Sequence, residues 1–98
     1  MSISKQQIVD TIFRAIDELN MLLPSHMQLT KQSSTILLGE GGVLDSLGLI
    51  NLIVSVEDKM QSELGVQVII LDEDSLANPK GPYQTIDGLA SWILSRIG

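Results

Sequence analysis

The sequence contains no cysteine among its 98 residues, and only 3% of them are aromatic. The absence of cysteine excludes disulfides, thiolate nucleophiles and cysteine-based metal sites, and it is compatible with a reducing compartment. No apolar run approaches the roughly 18 residues of a membrane-spanning helix. The polar start MSISKQQIVD lacks the apolar centre of a secretory signal. We therefore expect a cytoplasmic protein without a membrane span.

Basic residues are also scarce, with 6 Lys and Arg against 12 Asp and Glu and a formal net charge of −6. Such a charge repels phosphate backbones, which argues against binding to nucleic acid and to anionic membrane surfaces. A chain of this length forms one domain, residues 1–98, with a small core and little room for a deep catalytic cleft. These properties favour a carrier, adaptor or binding module over an enzyme, and we expect a monomer.

The first part of the chain has the pattern of an amphipathic helix. Ser4 and Gln7 form a predicted capping box, and the helix can extend to about Leu22 before Pro24 ends it. One face has the spacing of a buried stripe, formed by Ile8, Ile12, Ala15, Ile16 and Leu19. Residues 23–45 then show no sustained periodicity but contain scattered apolar residues, which predicts a long loop held across the core.

A second amphipathic helix is predicted from Ser46 to Leu64, with Asp45 as its N-cap and Gly65 as its C-terminal stop. Its core stripe consists of Leu49, Leu52, Ile53, Val56, Met60 and Leu64. A second apolar set lies beside this stripe, on the side nearest Ser46, and consists of Leu47, Ile50 and Val54. If the domain buries only one face of the helix, part of this set is exposed and forms a contact surface. The alternative is a central helix that is buried around most of its circumference.

The last third of the chain predicts two more helices after an extended segment. Residues 66–71 are rich in β-branched side chains but have no second strand to pair with, so we expect an extended connector packed on the bundle. A short helix is predicted from Asp72 to Ala77, followed by a turn at residues 78–82. Thr85 caps the last helix, whose buried stripe is Ile86, Leu89, Ala90, Ile93 and Ile97. The predicted fold is all-α, a four-helix bundle with three longer helices and a short third one.

Few side chains are candidates for chemistry. His26 is the sole histidine and has no accompanying serine or aspartate pattern, so it is predicted to be an ordinary surface or turn residue. The acids at positions 72–74 lack the glycine and closing glutamate of a calcium loop, and residues 39–42 lack the Lys-Ser/Thr of a phosphate-binding loop. We therefore predict no catalytic residues and no metal site. Ser46, at the start of the second helix, is the candidate working residue.

The segment VLDSL at residues 43–47, with the helix that follows, resembles the phosphopantetheine-attachment motif and second helix of acyl carrier proteins. The long first loop, the short third helix and the Thr-Ile-Asp start of the last helix are similar as well, so the resemblance covers nearly the whole chain. It implies that Ser46 carries 4'-phosphopantetheine from coenzyme A, that Asp45 assists the phosphopantetheinyl transferase, and that Leu47 adjoins the attachment point. The thiol of this group would hold acyl intermediates as thioesters for acyl-loading and acyl-processing enzymes.

The resemblance also implies contacts between partner enzymes and Asp45, Leu47, Ile50, Val54, Glu57 and Asp58. The sequence departs from the family at Gly48 and Asn51, two positions where acidic residues are common. With fewer charges there, we expect partner binding to depend more on the apolar residues and less on salt-sensitive attraction, which favours a carrier for a specialised pathway. Two alternatives remain: an aminoacyl or peptidyl carrier with the same serine, and a helical adaptor in which Ser46 is a plain cap residue.

Overall fold

The computed structural model describes residues 3–32, 34–37, 46–70 and 84–97. They form three α-helices and a 3-10 turn: α1 (Lys5–Asn20), the turn Ser25–Met27, α2 (Ser46–Leu64) and α3 (Ile86–Ile97). The one extended pairing within these ranges is an isolated bridge between Ile36 and Thr85. The regular secondary structure of the described residues is therefore helical, as the sequence predicts. The short helix predicted at residues 72–77, which would be the fourth, lies outside them.

Helix α1 begins with the predicted capping box. The Ser4 hydroxyl accepts the N–H of Gln7 at 3.2 Å, and the Gln7 side chain accepts the N–H of Ser4 at 2.8 Å. The helix ends at Asn20 rather than Leu22. There the Asn20 side chain accepts the N–H of Leu29 at 2.8 Å and donates to the Leu29 carbonyl at 3.0 Å. These two bonds satisfy the loop backbone where Leu29 enters the core.

The loop after α1 crosses the core, as the scattered apolar residues predict. Leu29 and Leu37 are both buried. The Leu37 N–H donates to the Gln84 carbonyl at 2.7 Å, and the Ile86 N–H donates to the Thr35 carbonyl at 3.1 Å. The loop thus fixes the start of α3, where the Thr85 hydroxyl caps the helix by accepting the Gly88 N–H at 3.0 Å.

Helix α2 has the predicted bounds. It ends at Gly65, whose φ of 68° lies in the left-handed region that favours glycine. The buried stripes of the three helices form one core, and its largest fully buried side chains are Ile8, Ile12, Ile16, Leu37, Leu49, Leu52, Ile53, Met60, Ile70, Ile86 and Leu89. Helix α1 packs against both α2 and α3, whereas α2 and α3 make few close backbone contacts with each other. The core is therefore built around α1.

Residues 65–70, which we call the connector, follow α2 over this core without regular secondary structure. Val66 and Val68 are half-buried, Ile70 is fully buried, and the residues between them are exposed, with Ile69 72% accessible. Alternate burial is the pattern of an extended chain lying on a core. No strand pairs with the connector in the part of the chain that the structure describes. The predicted unpaired connector is confirmed up to Ile70.

Candidate functional site

Ser46 is the first residue of α2. The first N–H groups of a helix lack intrahelical partners, and the helix dipole places a partial positive charge at this end. The next residue, Leu47, is 66% exposed, so the first turn of α2 stands at the protein surface. The Ser46 side chain and Asp45, with its predicted N-cap role, lie outside the described residues. The backbone of Ser46 therefore lies at the start of a helix, at the protein surface.

An apolar face continues from Ser46 along the outer side of α2. Leu47 and Val54 are exposed, at 66% and 46%, and Ile50 between them is half-buried. Their spacing of i, i+3 and i+7 places them on one side of the helix. We call these three residues the outer apolar face. The expectation that α2 exposes part of its second apolar set is confirmed, and the alternative of a helix buried around most of its circumference is wrong.

The two acids predicted to contact partners differ in their surroundings. Glu57 is half-buried, and its Oε2 accepts the N–H of Ile70 at 2.6 Å. Asp58 is exposed to solvent. Glu57 therefore holds the connector, whereas Asp58 presents its charge at the surface. Sequence reasoning missed the bond to Glu57 because no local pattern relates a helical glutamate to a backbone amide in the following segment.

Lys59, which follows these two acids in α2, forms an ion pair with Glu18 on the flank of α2 that faces α1. The Lys59 ammonium lies 2.6 Å from Glu18 Oε1, and only 15% of the Lys59 side chain is exposed. The Ser55 hydroxyl donates to the other Glu18 oxygen at 3.3 Å. The hydrogen bond from Lys59 lowers the pKa of Glu18 below its ordinary value, and the Ser55 bond adds to this shift. The charge of Lys59 is thus engaged between two helices.

Gly48 and Asn51 stand where the family resemblance places acids. Gly48 is half-buried, and Asn51 is exposed beside the outer apolar face. Helix α2 carries no acidic residue before Glu57. The N-terminal half of α2 is therefore uncharged, and Asp58 is the first acid along this helix that is exposed to solvent.

A groove that the sequence does not reveal lies between α1 and α2. Its volume is about 210 Å³, and its lining includes Leu19, Leu22 and Leu52 with the polar residues Asn51 and Ser55. Met21 and Leu22 are both 83% exposed and extend the apolar surface beyond the end of α1. Helical periodicity could not identify them, because both residues follow Asn20, where the helix stops.

Other candidate chemistry is sparse in the described ranges. His26 is exposed in the 3-10 turn, as expected for a turn residue. No group of three or more His, Asp or Glu side chains there could hold a metal ion. Nor does any buried side-chain nitrogen or oxygen in those ranges lack a hydrogen-bond partner. The start of α2 and the outer apolar face are therefore the features that distinguish this surface.

Searches of protein families, of curated proteins and of solved structures found no match to this chain. Within the described ranges, no helix is long and apolar enough to cross a lipid bilayer.

Proposed function

We propose that this protein is an acyl carrier that bears 4'-phosphopantetheine on Ser46. It would hold acyl intermediates as thioesters and deliver them to enzymes of a fatty-acid, polyketide or other specialised lipid pathway, as a cytoplasmic monomer without catalysis of its own. The observation that supports this proposal is the position of Ser46 as the first residue of α2, directly before an exposed apolar face. The VLDSL segment at residues 43–47 supplies the family resemblance.

The start of α2 suits the phosphodiester of such a group. An anion at a helix N-terminus is typically favoured by about 0.3–1 kcal/mol, through the dipole and the unpaired N–H groups. No acidic side chain lies within the first turn of α2 to compete for this position. The exposure of Leu47 is compatible with a bulky chain attached beside it. When bound, the group supplies a thiol, which a chain without cysteine otherwise lacks.

The outer apolar face is the surface on which we expect partner enzymes to dock. Covering Leu47 and Val54 removes apolar area from water, which stabilises a complex by about 25 cal/mol per Å². Asp58 and the net charge of −6 favour partners with basic residues around an apolar patch. Because Glu57 is bound to the connector, it contributes less to this attraction than its position in the sequence predicts.

Intact-protein mass spectrometry tests the attachment. The unmodified chain is incubated with coenzyme A and a phosphopantetheinyl transferase of broad specificity. We expect the mass to increase by one phosphopantetheine group, and we expect Ser46→Ala to abolish the increase. Ser62→Ala is the matched control, because Ser62 is an exposed serine at the other end of the same helix and bonds only weakly, at 3.5 Å, to the Lys59 carbonyl.

The outcomes of this experiment discriminate between classes of protein. Addition that depends on Ser46 and not on Ser62 supports a carrier. Addition that persists in Ser46→Ala would refute the assigned site. No addition to a folded chain would favour the helical adaptor, in which the outer apolar face binds a protein and Ser46 is only a cap residue.

Loading experiments distinguish an acyl carrier from an aminoacyl or peptidyl carrier. The modified protein is offered to an acyl-activating enzyme and, separately, to amino-acid-adenylating enzymes. We expect fatty acyl groups to be transferred, and exclusive aminoacylation would assign the chain to the alternative class. The neutral positions Gly48 and Asn51 further lead us to expect slow turnover with housekeeping ketosynthase and malonyl transferase. Turnover equal to that of their usual carrier would exclude a specialised pathway.

A further inference from the structure

The connector ends at a residue that two helices hold from opposite sides. The N–H of Ile70 donates to Glu57 Oε2 on α2 at 2.6 Å, and the carbonyl of Ile70 accepts the indole N–H of Trp92 on α3 at 3.2 Å. The Ile70 side chain is fully buried. One residue is therefore anchored by its amide, its carbonyl and its side chain, and the two polar anchors come from different helices.

Ile70 lies between two helices whose backbones make few close contacts with each other. Helices α2 and α3 both pack on α1 but make few close backbone contacts with each other. Ile53 and Leu89 lie about one turn before Glu57 and Trp92, and both are fully buried. Because the backbone of Ile70 is bound by Glu57 on α2 and by Trp92 on α3, this buried residue lies between the two helices, and we call this place the seam. The contact between α2 and α3 is therefore made partly through a connector residue, whereas α1 and α2 pack on each other directly.

We propose that residues 65–70 form a strap that closes the seam between α2 and α3, with a hinge at Gly65 and a latch at Ile70 made by Glu57 and Trp92. Release of the latch uncovers the seam while α1 and α2 stay packed together. This inference is independent of the carrier proposal, because it concerns the fold of the unmodified chain. In this proposal, Glu57 holds the strap in place by accepting the N–H of Ile70.

The strap has open space beside its Gly65 end and is bound by two helices at its Ile70 end, so release of Ile70 would let it swing about Gly65. At the hinge, the positive φ of Gly65 reverses the chain, and the N–H of Val66 bonds back to the Met60 carbonyl at 3.1 Å. No heavy atom lies within 4 Å of the position that a Gly65 Cβ would occupy, so the hinge stands in open space. Between hinge and latch, Val66 and Val68 are half-buried against the core, whereas Ile69 is 72% exposed and adds little to the hold. Segments with few buried contacts open locally at lower free energy than the global unfolding reaction.

The latch can be weakened without removing its aromatic ring. The Arg96 guanidinium stacks over the Trp92 ring, 5.0 Å from its centroid. Trp92→Phe keeps an aromatic surface beneath Arg96 and deletes the N–H that reaches the Ile70 carbonyl. Glu57→Leu deletes the acceptor of the Ile70 N–H, and Glu57→Gln retains an oxygen there. These substitutions address the two bonds of the latch one at a time.

Hydrogen exchange measured by NMR on the full, unmodified chain tests the strap. Each variant removes one hydrogen bond of the latch, and the exchange rate is measured at the proton of the other hydrogen bond. In Trp92→Phe the amide of Ile70 keeps its Glu57 acceptor, and we expect its exchange to accelerate about three- to tenfold. In Glu57→Leu the indole N–H of Trp92 keeps its own acceptor, and we expect a similar acceleration there. The amide of Ile12 in α1 should change far less, because α1 and α2 stay packed.

The controls separate latch release from general destabilisation. Asp58→Leu removes the same charge one residue away from Glu57 and should leave both latch protons unchanged. Glu57→Gln should restore most of the protection at Trp92. If each variant leaves the other latch proton unchanged, the two bonds are independent and no strap exists. Equal acceleration at Ile12 and Ile70 would mean that the chain opens only as a whole, which would also overturn the proposal.

Discussion

The two flanks of α2 are held by different means. On the flank facing α1, the helices pack directly, and Arg14–Glu63 and Lys59–Glu18 ion pairs lie along the contact. On the flank facing α3, the two helices make few close backbone contacts, and Ile70, whose backbone is bound by Glu57 and Trp92, lies between them. The first flank joins two rigid elements, whereas the second depends on a segment that has no regular structure of its own.

This difference separates stability from adaptability within one small domain. Direct packing of two helices leaves their buried side chains little room to relax when one of them is changed. An extended connector can shift and partly fill a space that is created beneath it. We therefore expect the α1 flank to carry most of the free energy of unfolding and the α3 flank to govern local opening.

The largest expected loss of stability comes from a cavity on the α1 side of the core. Ile16 is fully buried in α1, and Ile16→Ala should lower the free energy of unfolding by about 2–5 kcal/mol, in the upper half of that range. The reason is that the cavity would lie beneath α1, which packs directly on both α2 and α3 and has little freedom to close over it. Urea denaturation followed by circular dichroism measures the loss, with Leu22→Ala as an exposed control. A smaller loss of unfolding free energy for Ile16→Ala than for Ile70→Ala would contradict the comparison of the two flanks.

The next effect tests the α3 flank. Ile70 is as deeply buried as Ile16, yet we expect Ile70→Ala to cost only about 2 kcal/mol, at the lower end of the range for such changes, because the connector can relax toward the core. The same denaturation experiment applies, with Ile69→Ala as the neighbouring exposed control. If Ile70→Ala and Ile16→Ala are equally destabilising, the two flanks do not differ in rigidity.

A smaller effect concerns the ion pairs of the α1 flank. Arg14 donates through Nε to Glu63 at 2.6 Å, and the two side chains are 46% and 34% exposed. Arg14→Met keeps most of the side-chain stem and should cost about 0.2–1 kcal/mol, because solvent screens the pair. Repeating the urea titration at high salt should reduce the difference between wild type and variant. An effect as large as that of Ile16→Ala would show that charge rather than packing dominates this flank.

The smallest effect depends on pH. The pKa of Glu18 in the folded protein lies below its ordinary value of 4.5, chiefly because of the hydrogen bond from Lys59. The carboxylate therefore stabilises the fold above pH 4.5, and this contribution disappears as the pH falls through the folded-state pKa. Glu18→Gln should remove that part of the acid dependence of the melting temperature. Asp58→Asn, which deletes an exposed acid, is the control, and an identical acid profile for wild type and Glu18→Gln would refute the assignment.

The sequence predicts helices better than the contacts that join them. The bounds of α2 are correct because an uninterrupted apolar stripe ends at a glycine suited to a left-handed conformation. The end of α1 is not, because it coincides with the pairing of Asn20 and Leu29, which local periodicity does not encode. Glu57 is the sharper case. It has the appearance of a surface acid in the sequence, but its carboxylate faces the connector.

For the candidate site, sequence and structure contribute different parts. Periodicity alone places Ser46 at a helix start and Leu47 beside the core stripe, and the structure agrees on both points. Periodicity cannot decide how much of a second apolar set is covered, because that depends on what packs beside the helix. The groove between α1 and α2 was missed for a related reason. It is formed by residues of separate segments, and the exposed Leu22 lies beyond the end of α1 at Asn20.

Trp92 is the sole tryptophan of the chain, and its indole N–H is bound to the Ile70 carbonyl. The tryptophan fluorescence of this protein therefore originates at the boundary between the connector and α3. Any event that moves the connector should change the wavelength of this emission, because it alters the surroundings of the indole N–H, and no added label is needed. The chain thus contains its own optical probe, placed where the structure predicts that the domain opens first.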